Sequence, residues 1–267
     1  MQAVLQGQRF VLATLVLLVA QPAFAQTYAE QSTAFLFDDP STSGAPALSL
    51  SDESEVSLNL PWPVPFYGAP YESVSISDNG ALRFNQGLLS QSSDTCFPSA
   101  LAGGNPDVAV FWDALQPGLL GSAHAELHTS PPRFVISWID YEHSLHPSLG
   151  SASFQVVLYP SGTIDVRYSS TALGDVSVDF GASATVGVQN AVGGTNHAGD
   201  SLASSCNVPT ALGNSARRFV TPTTSMQTGS ACATETVTTA TLRSCPGRRR
   251  SATRSTKTAT ETSLRTS

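Results

Sequence analysis

Positive charge is scarce along most of this chain. Between residues 26 and 222 only Arg83, Arg133, Arg167, Arg217 and Arg218 stand against eighteen Asp and Glu. A surface of that sign repels the phosphates that a nucleic-acid binder must neutralise, and it disfavours an anionic bilayer for the same reason. Amphipathic helical periodicity is missing as well, which argues against a helical or mixed domain. No CxxC pair occurs among the four cysteines, so zinc-ribbon and thioredoxin-type sites are excluded. Long apolar runs are absent apart from Phe10–Ala20, interrupted by Thr14. A bilayer-spanning helix needs about 20 residues, and this run is shorter. With Arg9 before it and the small-x-small triplet Ala23-Phe24-Ala25 after it, residues 1–25 read as a secretory signal peptide. The expected product is exported, with no membrane insertion after signal cleavage.

What is present is a series of short β-rich runs separated by Gly, Pro, Ser and Asn. Alternation places strands at Tyr71–Ser77, Ala81–Asn85, Phe134–Ile139, Phe154–Tyr159 and Ile164–Tyr168. Continuous or shorter runs add Val108–Trp112, Ala184–Val188 and Arg218–Val220. The expected fold is all-β: a mostly antiparallel β-sandwich over residues 26–222, followed by a disordered low-complexity tail at 223–267. Asp78-Asn79-Gly80 sits between two alternating runs. Asn and Gly tolerate positive φ, and Asp can bond its own turn, so the triplet reads as a hairpin turn. A calcium loop starting at Asp78 would need oxygen ligands at its third and fifth positions, which are Gly80 and Leu82. The metal reading fails there.

Export favours disulfides. Cys96 and Cys206 are the two cysteines inside the body and are expected to pair, and the pairing of Cys232 and Cys245 stays open.

Several stretches in order carry a family resemblance. They are Pro63-Val64-Pro65-Phe66-Tyr67-Gly68, Val74–Gly80 with Leu82 and Phe84, and Val108-Ala109-Val110-Phe111-Trp112-Asp113. They continue with Phe154–Tyr159 leading to Gly162-Thr163-Ile164, and with Ala184–Asn190. Over roughly residues 56–192 the chain resembles the extracellular domain of nidogen and its relatives, the NIDO domain, here in a secreted protein of bacterial type. Val110 departs from that pattern, which often has Pro. The resemblance implies a secreted or cell-surface protein in matrix or surface adhesion, with no known catalytic residues.

Several residues could carry chemistry, and each also has a plainer role. Gly199-Asp200-Ser201-Leu202 reads as the motif of the GDSL hydrolases, and Asp140–His143 supplies a DxxH. Their order is reversed relative to that family, and the motif counts only in its structural context. Asp140 and Glu142 lie two apart on a strand and share a face. They are a glycosidase pair or, more simply, a solvated acidic edge, with Trp138 and Tyr141 the one hint of a sugar cleft. His124, His128, His143, His146 and His197 read as surface-loop histidines. Residues 122–130 would bring His124 and His128 to one side as a helix, but Pro131 and Pro132 argue against it. Trp112 and Trp138 read as core, and Trp62, between Pro61 and Pro63, as more open.

The function expected is a non-catalytic binding or structural module in cell-surface or matrix adhesion, with no cofactor. Its partner is an unidentified extracellular protein or glycan and not a nucleic acid. Two other classes stand beside it. One is a secreted hydrolase, either a GDSL-like esterase or a glycosidase. The other is the amino-terminal passenger domain of a longer calcium-binding exported protein. That last reading comes from the tail. In Thr234–Thr241 and Thr256–Thr262, threonine alternates mainly with residues whose codons begin with G. Read one base earlier, such codons spell alternating Asp and Gly, the chemistry of calcium loops. The tail is thus either a frame-shifted acidic segment or a plain disordered one.

Overall fold

The computed structural model describes residues 27–85, 87, 95–99, 106–190, 200–210 and 212–222. The signal peptide, His197, Gly199 and the tail with Cys232 and Cys245 lie outside the described residues. In chain order the elements are β1 (Ala29–Ser32), α1 (Pro40–Ser43), β2 (Glu55–Phe66), β3 (Ala69–Ser77), β4 (Ala81–Phe84), β5 (Asp107–Trp112) and β6 (Leu115–Gln116). They continue with β7 (Ser122–Thr129), β8 (Pro132–His143), β9 (Ser151–Leu158), β10 (Ile164–Ala172), β11 (Thr185–Gln189), β12 (Ser201–Cys206) and β13 (Ser215–Val220). Two antiparallel sheets result. One runs β1-β13-β10-β9-β8-β6, with β7 also paired to β8, and the other runs β12-β11-β5-β4-β3-β2. The all-β sandwich expected from the alternation is the fold observed.

Alternate residues of both sheets meet in one core. Val74, Ile76, Leu82, Phe84, Val110 and Phe111 from one sheet face Ile136, Trp138, Phe154, Val156, Val166 and Tyr168 from the other. Trp138 stacks on Phe154 at 5.1 Å between ring centroids and donates its indole N–H to the Ser77 carbonyl across the sheets. Tyr168 donates to the Val110 carbonyl at 2.6 Å in the same way. Trp112 packs with Phe97 on the outer face of the second sheet. Both tryptophans are therefore core side chains, and neither presents a sugar platform.

The strands that the sequence pattern did not show are β1, β2, β6, β7 and β12. Their residues break the alternation rule for physical reasons. β2 contains three prolines and slips register between Asn59 and Val64, so that four residues oppose Glu72 alone. It lies at a sheet edge, where proline and a bulge are tolerated and discourage pairing with other chains. β7 ends at Thr129 because Ser130 and Pro131 form the turn into β8, whose first residue, Pro132, pairs back with Thr129; no helix stops there.

The Asp78-Asn79-Gly80 turn is the hairpin turn expected, but it is fully buried. Gly80 has φ +73°, and its carbonyl accepts from the N–H groups of Val110 and Phe111. A methyl group there would sit 2.2 Å from the Phe111 carbonyl oxygen. Gly80→Ala combines this clash with an unfavourable φ and is expected to destabilise by about 2–4 kcal/mol in chemical denaturation. A loss below about 0.5 kcal/mol would contradict the assigned geometry.

Cys96 and Cys206 form a disulfide with Cα atoms 5.4 Å apart, closing a separation of 110 residues. It ties residues 95–99 to the end of β12. Removing it as Cys96→Ala/Cys206→Ala is expected to cost up to about 4–5 kcal/mol on the chain-entropy account. Thermal unfolding with and without reductant measures this, and no reductant effect on the wild type would reject the bond.

Candidate functional site

The strand order gathers a set of loops at one end of the sandwich. Leu115 pairs with His143, Ala172 pairs with Ser151, and Cys206 pairs with Thr185. The loops 117–121, 144–150, 173–184 and 207–214 therefore emerge together. Residues 51–54 join them, because Asp78 accepts the Glu53 and Ser54 N–H groups at 2.8 and 3.1 Å. These loops are braced by backbone packing. Cβ atoms at Gly150 and Gly174 would collide with the main chain of the neighbouring loop, at Ala172 and Leu149 respectively. Asp140, Ser148 and Phe180 hold positive φ, a conformation non-glycine residues adopt at a cost.

This end is both apolar and acidic. Leu119, Leu120, Leu145, Leu149 and Val176 are 99, 83, 77, 60 and 86 % exposed. With Phe180 and Val208 they account for seven of the ten exposed large hydrophobic side chains among the described residues. Isolated exposed apolar residues are ordinary, but a concentration of them marks an interaction surface. Leu120 and Leu149 wall a cavity of about 330 Å³ that Asp140 and Glu142 also line. Asp140 sits at a register slip in β8 and accepts from the Ser151 and Ser153 hydroxyls, while Glu142 accepts the Ser148 N–H at 3.2 Å.

Beneath the loops lies a polar cluster. His143, expected at the surface, is buried as the last residue of β8. Its Nε2 faces Asp113 at 3.4 Å and its Nδ1 accepts the Leu145 N–H, so both ring nitrogens are engaged. Ser183 donates to the other Asp113 oxygen at 2.6 Å. The carboxylate thus stands between hydroxyl and imidazole. A nucleophilic triad needs the imidazole in that position.

The GDSL reading fails on placement. Ser201 begins β12 opposite Gln189, about 16 Å along the strand from the end where His143 lies. The glycosidase reading keeps its two carboxylates on one cavity but loses its cleft, because Trp138 and Tyr141 are fully buried in the core. Residues 122–129 do bring His124 and His128 to one face, as a strand and not a helix, since positions four apart in a strand share a face. His124 donates from Nδ1 to the Ala45 carbonyl and receives the Ser122 hydroxyl at Nε2, while His128 lies between Glu126 and Arg133. Among the described residues, no three His, Cys, Asp or Glu side chains converge as a metal site. No helix of the described residues is long and apolar enough to cross a membrane.

Every arginine of the described body is committed to an acid. Arg83 pairs with Asp107, Arg133 and Arg167 with Asp38, Arg218 with Asp165 and Arg217 with Glu30. Asp38 belongs to a strap, residues 37–50, laid over the outer face of the first sheet. Gln155 exchanges two hydrogen bonds with the Asp38 backbone, and the Leu48 N–H reaches the Ala123 carbonyl. Sequence reasoning missed the loop end. The signal was Leu119-Leu120, Leu145 and Leu149 standing in Gly/Pro/Ser-rich turns with no burial pattern around them.

Two antiparallel sheets, with an apolar and acidic loop cluster at one end, define an all-β sandwich module. The chain belongs to the NIDO-related family, whose model matches residues 27–247. The match includes the 56–192 stretch where the motifs lie. Alpha-tectorin of Homo sapiens is 36% identical over 75 residues, covering 28% of this chain and 3% of that protein. Alpha-tectorin of Mus musculus is 35% identical over the same length and shares. The chain therefore matches about 3% of the length of these curated relatives, and both are mammalian, which lends no support to a bacterial source. No solved structure matches the chain.

Two buried carboxylates give the domain a pH signature. Burial pushes Asp78 up to about 7, against the lowering effect of the Glu53 and Ser54 N–H groups. Burial likewise pushes Asp107 up to about 6, partly offset by Arg83. From about pH 4 to 7 the folded state holds protons that the unfolded chain releases, so stability falls as pH rises through that window. Asp38 acts oppositely. Burial raises it, but Arg133 and Arg167 together hold it below the ordinary carboxylate value, so its contribution is lost only below about pH 4. The melting temperature is expected to be higher near about pH 5 than near about pH 7.5. Asp78→Asn should flatten that slope whatever its effect on absolute stability, and an unchanged slope would remove Asp78 as its source.

Proposed function

We propose that this protein is a secreted, non-catalytic adhesion module of the extracellular space, and that the loop end of its sandwich is the binding surface. The observation that carries this reading is the gathering of most of the exposed large hydrophobics of the described residues onto braced loops at one end. Family membership supports an extracellular structural role, and the likeness to alpha-tectorin agrees with it. The position of the Asp113 carboxylate between Ser183 and His143 weighs against a hydrolase. On this reading residues 1–25 are the export signal, residues 26–222 the working domain and residues 223–267 a low-complexity tail. A longer calcium-binding parent protein remains a separate proposal, decided by whether the third codon bases of the tail permit the Asp-Gly frame.

Arrays of matrix proteins and of glycans, probed with biotin-labelled domain, test the proposal. Binding to at least one matrix component is expected. It should fall about tenfold or more in Leu119→Ser/Leu120→Ser/Leu145→Ser/Leu149→Ser, because exposed apolar side chains contribute to binding and little to the fold. The variant should keep the wild-type melting temperature. Retention of full binding by this variant, or ester or glycoside turnover by the purified domain, would overturn the assignment.

A further inference from the structure

The loop end is chemically lopsided in a way that specifies its occupant. Its apolar tips surround carboxylates that no lysine or arginine of these loops neutralises, and the His146 imidazole lies 4.0 Å from one of them, Asp175. Asp140 and Glu142 line the cavity between Leu120 and Leu149, Asp175 and Asp179 lie on the adjoining loop, and Asp52 and Glu53 lie beside the buried Asp78 turn. None of the loops 51–54, 117–121, 144–150, 173–184 and 207–214 contains a lysine or arginine. The five arginines of the described body are engaged elsewhere, by Asp107, Asp38, Asp165 and Glu30.

We propose that this end docks an extracellular protein segment that presents a Lys or Arg side chain between apolar ones. The cation enters the cavity of about 330 Å³ and meets Asp140 and Glu142, while its flanking apolar residues cover Leu119, Leu120, Leu145 and Leu149. This inference rests on the reading of the loop end as the adhesive surface and adds the chemistry of the partner. Charge complementarity selects that partner. An acidic floor rejects an anionic lipid headgroup or an acidic protein face, and it rewards a desolvated cation more strongly once the rim excludes water. The cavity is prepared for this. The Ser151 and Ser153 hydroxyls orient Asp140, and the Ser148 N–H orients Glu142. The close approach of Gly118 to the Glu142 carboxyl limits where that side chain can move.

The test is a titration of isotope-labelled domain with three capped synthetic peptides, followed by amide chemical shifts. One peptide places a single arginine between leucines, the second replaces that arginine with glutamine, and the third replaces it with glutamate. The arginine peptide is expected to shift amides in 117–121, 140–150 and 173–180. It should bind about tenfold more tightly than the glutamine peptide, and the glutamate peptide should not bind. Raising salt from about 0.05 to about 0.5 M should weaken the arginine peptide selectively. Asp140→Asn/Glu142→Gln should abolish the arginine preference and keep the fold, because Asn tolerates the positive φ at residue 140 and Gln retains an acceptor for Ser148. Equal binding of the arginine and glutamine peptides, or an unchanged preference in the double variant, would overturn the cation seat and leave the apolar adhesive surface standing. Three other results would overturn the proposal outright. They are no shift with any peptide, sedimentation with phosphatidylcholine vesicles through the same leucines, and a concentration-dependent dimer that Leu120→Ser dissolves.

Discussion

The carbonyl oxygen of Gly80 accepts two backbone N–H groups, from Val110 and Phe111, and much of the molecule is arranged around that point. A turn that would ordinarily sit in water is buried here. It therefore needs its polar groups satisfied from within, since an unmade buried hydrogen bond costs more than a made one gains. Asn79 meets this by accepting the Leu115 N–H, and Asp78 by accepting the Glu53 and Ser54 N–H groups. These bonds hold β5, the start of β6 and the 51–54 loop against one hairpin. Since β6 pairs with the end of β8, the loop cluster inherits its position from the same turn.

A second constraint is the shortage of cations. With five arginines, the body uses them to hold its own chain: Asp38 draws Arg133 and Arg167 under the strap, and Asp165 binds Arg218. These pairs are largely shielded from solvent, where breaking one partner leaves a costly uncompensated charge. The consequence is a division of labour across the surface. One sheet face is internally neutralised and covered by the strap. The loop end keeps its carboxylates and its leucines exposed to whatever approaches.

Much of the fold was legible in advance because antiparallel strands facing a core on one side must alternate. Ile136 and Trp138, Phe154 and Val156, and Ile164 and Val166 announce themselves in this way. β2 and β12 were not legible, because an edge strand rich in proline or serine is held by its neighbours' hydrogen bonds and carries no pattern of its own. The same holds for His143. The sequence shows a histidine before a turn, and its burial against Asp113 depends on where β6 lands.

Residue chemistry alone determined the antiparallel sandwich, the acidic character of the body, the turn at Asp78-Asn79-Gly80 and the pairing of the two body cysteines. These follow from local periodicity, composition and φ preferences, which need no knowledge of distant partners. Only tertiary structure decided that the turn is buried, that Tyr141 is core and not cleft, and that Leu120, Asp140, Glu142 and Leu149 line one cavity. Those outcomes depend on which loops the strand order brings to the same end. Strand order is set by long-range pairing, to which residues far apart in the chain contribute jointly.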